Sequence, residues 1–181
     1  YTRIEWLEVT GWPGGSDDGV LIDADLALLT YMIVHDGGDG DSDGFRLKEN
    51  NGNWTATVRN SIAYNMGRAC FHAENWQGTA TLVWNLENVT AYNCGGGTNS
   101  SRTGGISASQ VAGSTTIINA TNVLSVGNID GDGDGDADFN VGGSGTPSWG
   151  SSSFNISTDT TAPGAGSQTG RLAANQFVNI T

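Results

Sequence analysis

Apolar and polar residues alternate along this chain in short runs, separated by glycine, asparagine and aspartate. Five runs end alike: DGVLID (18–23), DGFRLKEN (43–50), ACFHAEN (69–75), GGISAS (104–109) and ADFNV (137–141). Aligned on those endings, Val20, Phe45, Phe71, Ile106 and Phe139 form one apolar column. Ile22, Leu47, Ala73, Ala108 and Val141 form a second, two residues on. The residue between them is mostly polar (Leu21, Arg46, His72, Ser107, Asn140), which is the period-two signature of a strand with one buried face.

Ahead of each ending stands another repeated run, NSIAYN (60–65), NVTAYN (88–93) and NVLSVG (122–127), with YMIVHD (31–36) as a weaker copy. Further upstream come TATVR (55–59), TLVWNL (81–86) and TTIINA (115–120). LALLTYMIV (26–34) could pass for a short helix by itself, but it aligns with these strand runs. Each unit thus reads strand, bend, strand, loop, strand, with equivalent residues 25 to 35 apart. Such a unit cannot bury its apolar face alone; stacked at roughly 4.8 Å per unit, like residues meet in one core. This predicts an all-β, parallel solenoid of about five to six coils. An antiparallel sandwich would need the alternation but not the column register. Asn60, Asn88 and Asn122, and likewise Asn65 and Asn93, fall at the bends. There Asn tolerates left-handed backbone, and its amide can bond to the copies above and below.

Composition narrows the setting. The 181 residues suffice for a single domain (1–181) with its own core, either whole or a processed part of a longer chain. Lys+Arg 7 against Asp+Glu 19 leaves a charge of -12, which argues against nucleic acid or an anionic membrane as partner. No apolar run approaches the ~18 residues that would suggest a membrane span.

The stretches RNSIAYNMGRACFHAEN and LENVTAYNCGGG, with the tail STDTTAPGAGSQTG…ANQFVNIT, resemble right-handed parallel β-helix repeat proteins of the bacterial extracellular type. The resemblance spans nearly the whole chain and specifies fold better than function. That family includes polysaccharide lyases and hydrolases, phage tailspikes, adhesins and fibre proteins. The resemblance implies an extracellular or cell-surface location, in a bacterium. The leading expectation is a structural or adhesive subunit of a surface fibre. The alternative is a carbohydrate-active β-helix or a carbohydrate-binding module.

Acidic loops suggest a cation. NIDGDGDGDADFNV (128–141) fits D-x-D-x-D-G-x-x-D with Asp130, Asp132, Asp134, Gly135 and Asp138. Alternating aspartates around a glycine turn gather hard oxygens for Ca2+, although Val141 stands where an EF-hand needs glutamate. Asp36, Asp39, Asp41 and Asp43 repeat the idea. Aspartate and glycine also make ordinary solvated turns. Carboxylates this crowded repel one another, which favours some bound cation, and Ca2+ is the one expected for an extracellular loop.

Two cysteines in a secreted protein usually pair, so Cys70–Cys94 is a disulfide candidate. In register Cys94 stands nearer Met66, and two free thiols are the alternative. Asn53, Asn88, Asn99, Asn119, Asn155 and Asn179 head Asn-x-Ser/Thr sequons and are glycosylation candidates. A catalytic face can be assembled from Arg46, His72, Lys48 and Glu74 beside His35 and Asp36. The plainer reading is a solvated Lys48–Glu74 pair, with His72 facing out so that its removal costs little. Trp12, Trp76 and Trp149 fall in loops or corners, where they could stack on sugars or cap the ends of coils. The chain opens on YTRIEWLEVT and closes on QFVNIT without an amphipathic capping helix. Bare strand edges invite association, and head-to-tail packing of Ile4–Trp12 near Phe154–Thr181 of the next subunit is expected.

Overall fold

A computed structural model describes residues 2–13, 15, 17–38, 40–49, 52–97, 103–129, 131, 137–141 and 147–177. Among the described residues, seventeen strands follow one another in a fixed cycle. The first unit is β1 (Thr2–Glu5), β2 (Glu8–Thr10) and β3 (Val20–Ile22). The second is β4 (Ala27–Thr30), β5 (Ile33–His35) and β6 (Phe45–Glu49). The third is β7 (Trp54–Arg59), β8 (Ile62–Tyr64) and β9 (Ala69–Asn75), and the fourth is β10 (Thr81–Glu87), β11 (Thr90–Tyr92) and β12 (Gly104–Gln110). The fifth is β13 (Thr115–Thr121), β14 (Leu124–Val126) and β15 (Phe139–Val141), followed by the short β16 (Ser148–Trp149) and β17 (Ile156–Ser157).

Every third strand joins the same sheet, and every pairing is parallel. Sheet 1 runs β1-β4-β7-β10-β13-β16, sheet 2 runs β2-β5-β8-β11-β14-β17, and sheet 3 runs β3-β6-β9-β12-β15. Parallel neighbours require a connection that returns to the same end, and here the two strands of the other sheets provide it. The apolar columns pair as the repeat requires: Val20 with Phe45, Phe45 with Phe71, Phe71 with Ile106, and Ile106 with Phe139. Their side chains meet those of sheet 1 in one core, where the ring of Trp84 tilts against Phe71 at 6.0 Å. LALLTYMIV divides into β4 and β5 about a bend at Tyr31.

The bends explain the asparagines. Asn60, Asn88 and Asn122 turn sheet 1 into sheet 2 with φ of 50°, 53° and 53°. Asn88 donates its amide to Asn60 at 3.2 Å, and Asn122 donates to Asn88 at 2.7 Å. Asn65 and Asn93 do the same at the next bend, with Asp36 ending that ladder as acceptor for Asn65 at 2.7 Å. Trp6, Tyr31 and Phe154 occupy the first ladder's bend in the outer units, also at positive φ.

The two ends differ. The far edge of sheet 3 is closed by the chain itself: Asp138 N–H donates to Asp159 Oδ2 at 2.9 Å and Phe139 N–H to Thr161 Oγ1 at 3.1 Å. Beyond them Ala165 and Gln168 bridge to Ser153 and Ile156. An end bare of any cap was expected there; short polar side chains take the place of a capping helix. At the opposite end, β1, β2 and β3 each have a partner on one side only among the described residues.

Candidate functional site

Sheet 3 carries the densest chemistry. Its outward row Leu21, Arg46, His72, Ser107 and Asn140 is in register, and Lys48, Glu74 and Ser109 form the next row. An exposed face was expected. Instead His72, Ser107, Ser109, Glu74 and Asn140 are buried, and β9 and β12 are buried on both faces. His72 therefore faces out from the core without facing water. Its Nδ1 lies 2.6 Å from Ser107 Oγ, and its Nε2 lies 3.4 Å from Ser109 Oγ. Glu74 pairs with Arg46 rather than with Lys48, and Arg46 reaches Asp18 at 3.2 Å on its other side. Burial disfavours the ionised Glu74, but the Arg46 and Trp76 hydrogen bonds outweigh it and hold the carboxyl below its usual range. Asp18 goes the other way, raised by burial despite Arg46. His35 and Asp36 do not join this row, because β5 belongs to sheet 2.

The candidate calcium residues separate. Asp43 is fully buried and gripped by the Arg68 guanidinium, Nε to Oδ1 at 2.9 Å and Nη2 to Oδ2, with Ala69 N–H adding a third bond. Burial pushes the Asp43 carboxyl up to about 6 in spite of that guanidinium. Asp36 lies at the surface, its carboxyl lowered by the hydrogen bonds of Asn65 and His35. Asp41 donates its N–H to Gly15 O at 2.9 Å. Asp138 accepts Asn128 Nδ2 at 2.8 Å together with the Thr158 N–H and hydroxyl. Burial raises it nonetheless. Asp39, Asp130, Asp132 and Asp134 lie outside the described residues. Among the described residues, no three of His, Cys, Asp and Glu converge as a metal-holding group.

Cys70 and Cys94 are joined by a buried disulfide, their Cα atoms 5.6 Å apart. Both cysteines lie in the core, where Cys94 meets Cys70 although it follows its asparagine as Met66 follows Asn65. Of the sequons, Asn53 is exposed and accepts Thr81 N–H at 2.8 Å. Asn88 is exposed within its ladder, and Asn119 is half-buried against Asn85. Asn155 is fully buried and donates to Ala120 O and Pro163 O, out of reach of modification in the folded chain. Asn99 and Asn179 lie outside the described residues. Trp12 packs against the core, its Nε1 donating to Asp17 O, and Trp149 is a strand residue in β16. Trp76 is exposed after β9.

Two pairings had no signal in the pattern. Arg68, just before β9, is the counter-ion of Asp43. His35 sits between two carboxylates, Glu8 at Nε2 (2.9 Å) and Asp36 at Nδ1 (2.8 Å), and stacks on Tyr64 at 4.7 Å. Glu8 and Asp36, in that order of effect, raise the His35 pKa. At the open end, Ile4, Leu7, Leu21 and Leu26 are exposed, and Trp6 stacks on Tyr31 at 4.2 Å while remaining 76% exposed. Compared with protein-family models, curated proteins and solved structures, the chain matches none of them.

Proposed function

We propose that the chain is a right-handed parallel β-helix of about five to six coils, serving as a structural or adhesive extracellular module that associates end to end and binds calcium. The observation that carries this reading is the state of the outward row on sheet 3. Its charged groups are enclosed and pair with one another, Arg46 with Asp18 and Glu74, and His72 meets two serines, although Arg46 Nε and Asp18 Oδ1 have no hydrogen-bond partner. Side chains committed in this way rigidify a scaffold and leave little to meet a substrate. The buried disulfide suits an oxidising compartment outside the cell. Calcium falls to Asp130, Asp132 and Asp134, since Asp138 and Asp43 already have protein partners.

Sedimentation of the purified protein across a wide concentration range tests the assembly. Concentration-dependent association is expected, and a single monomeric species throughout would overturn it. A carbohydrate-binding reading draws on the exposed indoles of Trp6 and Trp76. It predicts quenching or a blue shift of tryptophan fluorescence on adding a soluble polysaccharide.

A further inference from the structure

Five charged side chains gather at sheet 3 from three successive units: Asp18 ahead of β3, Asp43 ahead of β6, Arg46 in β6, Arg68 ahead of β9 and Glu74 in β9. Two guanidiniums serve three carboxylates. Arg68 is committed to Asp43, Nε to Oδ1 at 2.9 Å and Nη2 to Oδ2. Arg46 divides its terminal nitrogens, Nη2 to Glu74 and Nη1 to Asp18 Oδ2 at 3.2 Å. Asp43 gains a further bond from Ala69 N–H, and Glu74 one from Trp76. Asp18 is the least supported of the three. Its side chain is only 7% exposed, yet its Oδ1 has no hydrogen-bond partner.

A carboxylate enclosed in this way keeps its charge at a cost in free energy, and a proton removes the charge. A metal ion would need several further oxygen ligands and would stand against two guanidiniums. The Asp43 carboxylate, held by Arg68, offers it none. The charged residues that act on Asp18 are Arg46, Arg68 and Asp43, and Asp17 precedes it at the surface. Glu74 lies on the other side of Arg46, and Asp41 acts on Arg68. Lys48 and His72 follow in register with Glu74 and Arg46.

We propose that Asp18 is a proton-binding switch in this network, taking up a proton in mildly acidic solution and releasing it at higher pH, so that the contact between the first three units tightens on acidification. Burial, the largest influence on the Asp18 carboxyl, raises its pKa, and the two guanidiniums oppose this only in part. A carboxyl raised in the folded chain binds its proton more tightly there than in the unfolded chain. Stability is therefore lowest above the raised value and grows as pH falls through it toward the ordinary carboxyl range. A stabilising ion pair has the opposite sign and is lost as pH falls. The switch goes beyond the scaffold reading and stands whether or not the chain associates.

Urea unfolding of wild type and Asp18→Asn from about pH 5 to about pH 8 tests it, together with an NMR titration of the Asp18 carboxyl carbon in wild type. Asparagine keeps the shape of the side chain and an oxygen for Arg46, and it is neutral throughout. Asp18→Asn is expected to have the higher urea midpoint at the alkaline end, with the gap closing toward the acidic end. His35 titrates in the same window in both proteins and cancels in the comparison. The Asp18 carboxyl itself is expected to titrate above the ordinary value of about 3.9. A variant that loses most stability at the alkaline end would make Asp18 an ordinary ion-pair partner of Arg46 and overturn the switch. A midpoint gap that does not vary with pH would overturn it as well. An Asp18 carboxyl titrating at or below the ordinary value would do so even if the variant failed to fold.

Discussion

The phenyl ring of Phe71 lies over that of Phe45, centroids 5.0 Å apart and planes 4° from parallel, in the middle of the core column. Both rings are fully buried, with Trp84 against the side of Phe71. Phe71→Ala should therefore cost roughly 3–5 kcal/mol in urea denaturation, through lost transfer energy and the cavity left behind. His72→Ala, one residue along, should cost about 1–3 kcal/mol, because it strands Ser107 and Ser109 in a buried layer. A negligible effect at His72 would show that its outward face is wet in solution.

Asp43 and Arg68 should behave as a unit. Removing either alone leaves a charge buried without its partner, and Asp43→Ala should cost about 3–5 kcal/mol. Replacing both, Asp43→Leu with Arg68→Met, should cost less than either single change. Additive losses in thermal or chemical unfolding would contradict a coupled pair.

Calcium is checked by melting temperature. Added Ca2+ should raise it and EDTA should lower it, since a ligand bound only by the native state stabilises by mass action. Asp132→Ala and Asp134→Ala should remove that response with little loss of stability in EDTA. Asp138→Ala and Asp43→Ala should lower stability with or without the metal, because their partners are Asn128, Thr158 and Arg68. Identical melting with and without Ca2+ would end the calcium proposal.

His35 predicts a pH dependence. A neutral imidazole has one N–H, so bonds to both Glu8 and Asp36 require the protonated ring. Its folded pKa is raised from 6.5, so its stabilisation is fully present below that value and is lost as pH rises through the raised folded one. Stability measured from pH 6 upward should fall more in wild type than in His35→Gln. Parallel curves for the two proteins would count against the pairing.

The disulfide links positions 24 residues apart. Cys70→Ser with Cys94→Ser should lower unfolding free energy by about 3 kcal/mol, from the loop closure it no longer imposes on the unfolded chain. Loss well below that would mean the unfolded chain is already compact in this region.

The repeat was legible in the chain because a parallel stack sets like residue on like. Val20 to Phe139 and Asn60 to Asn122 therefore appear as columns before any coordinates are known. Bends fixed by a local need, left-handed backbone relieved by asparagine, read directly for the same reason. What lies outside the columns did not read. Whether a residue facing away from the core meets water depends on chain packed over it, so His72 and Glu74 looked solvated and are buried. Which carboxylate meets which cation also depended on three-dimensional approach. Glu74 stands beside Lys48 by register but pairs with Arg46, and Asp43 lies in an acidic run but pairs with Arg68, 25 residues on. Alternation and stacking are local and periodic, so one dimension carries them; enclosure and charge pairing join distant segments, and only the tertiary structure decided them.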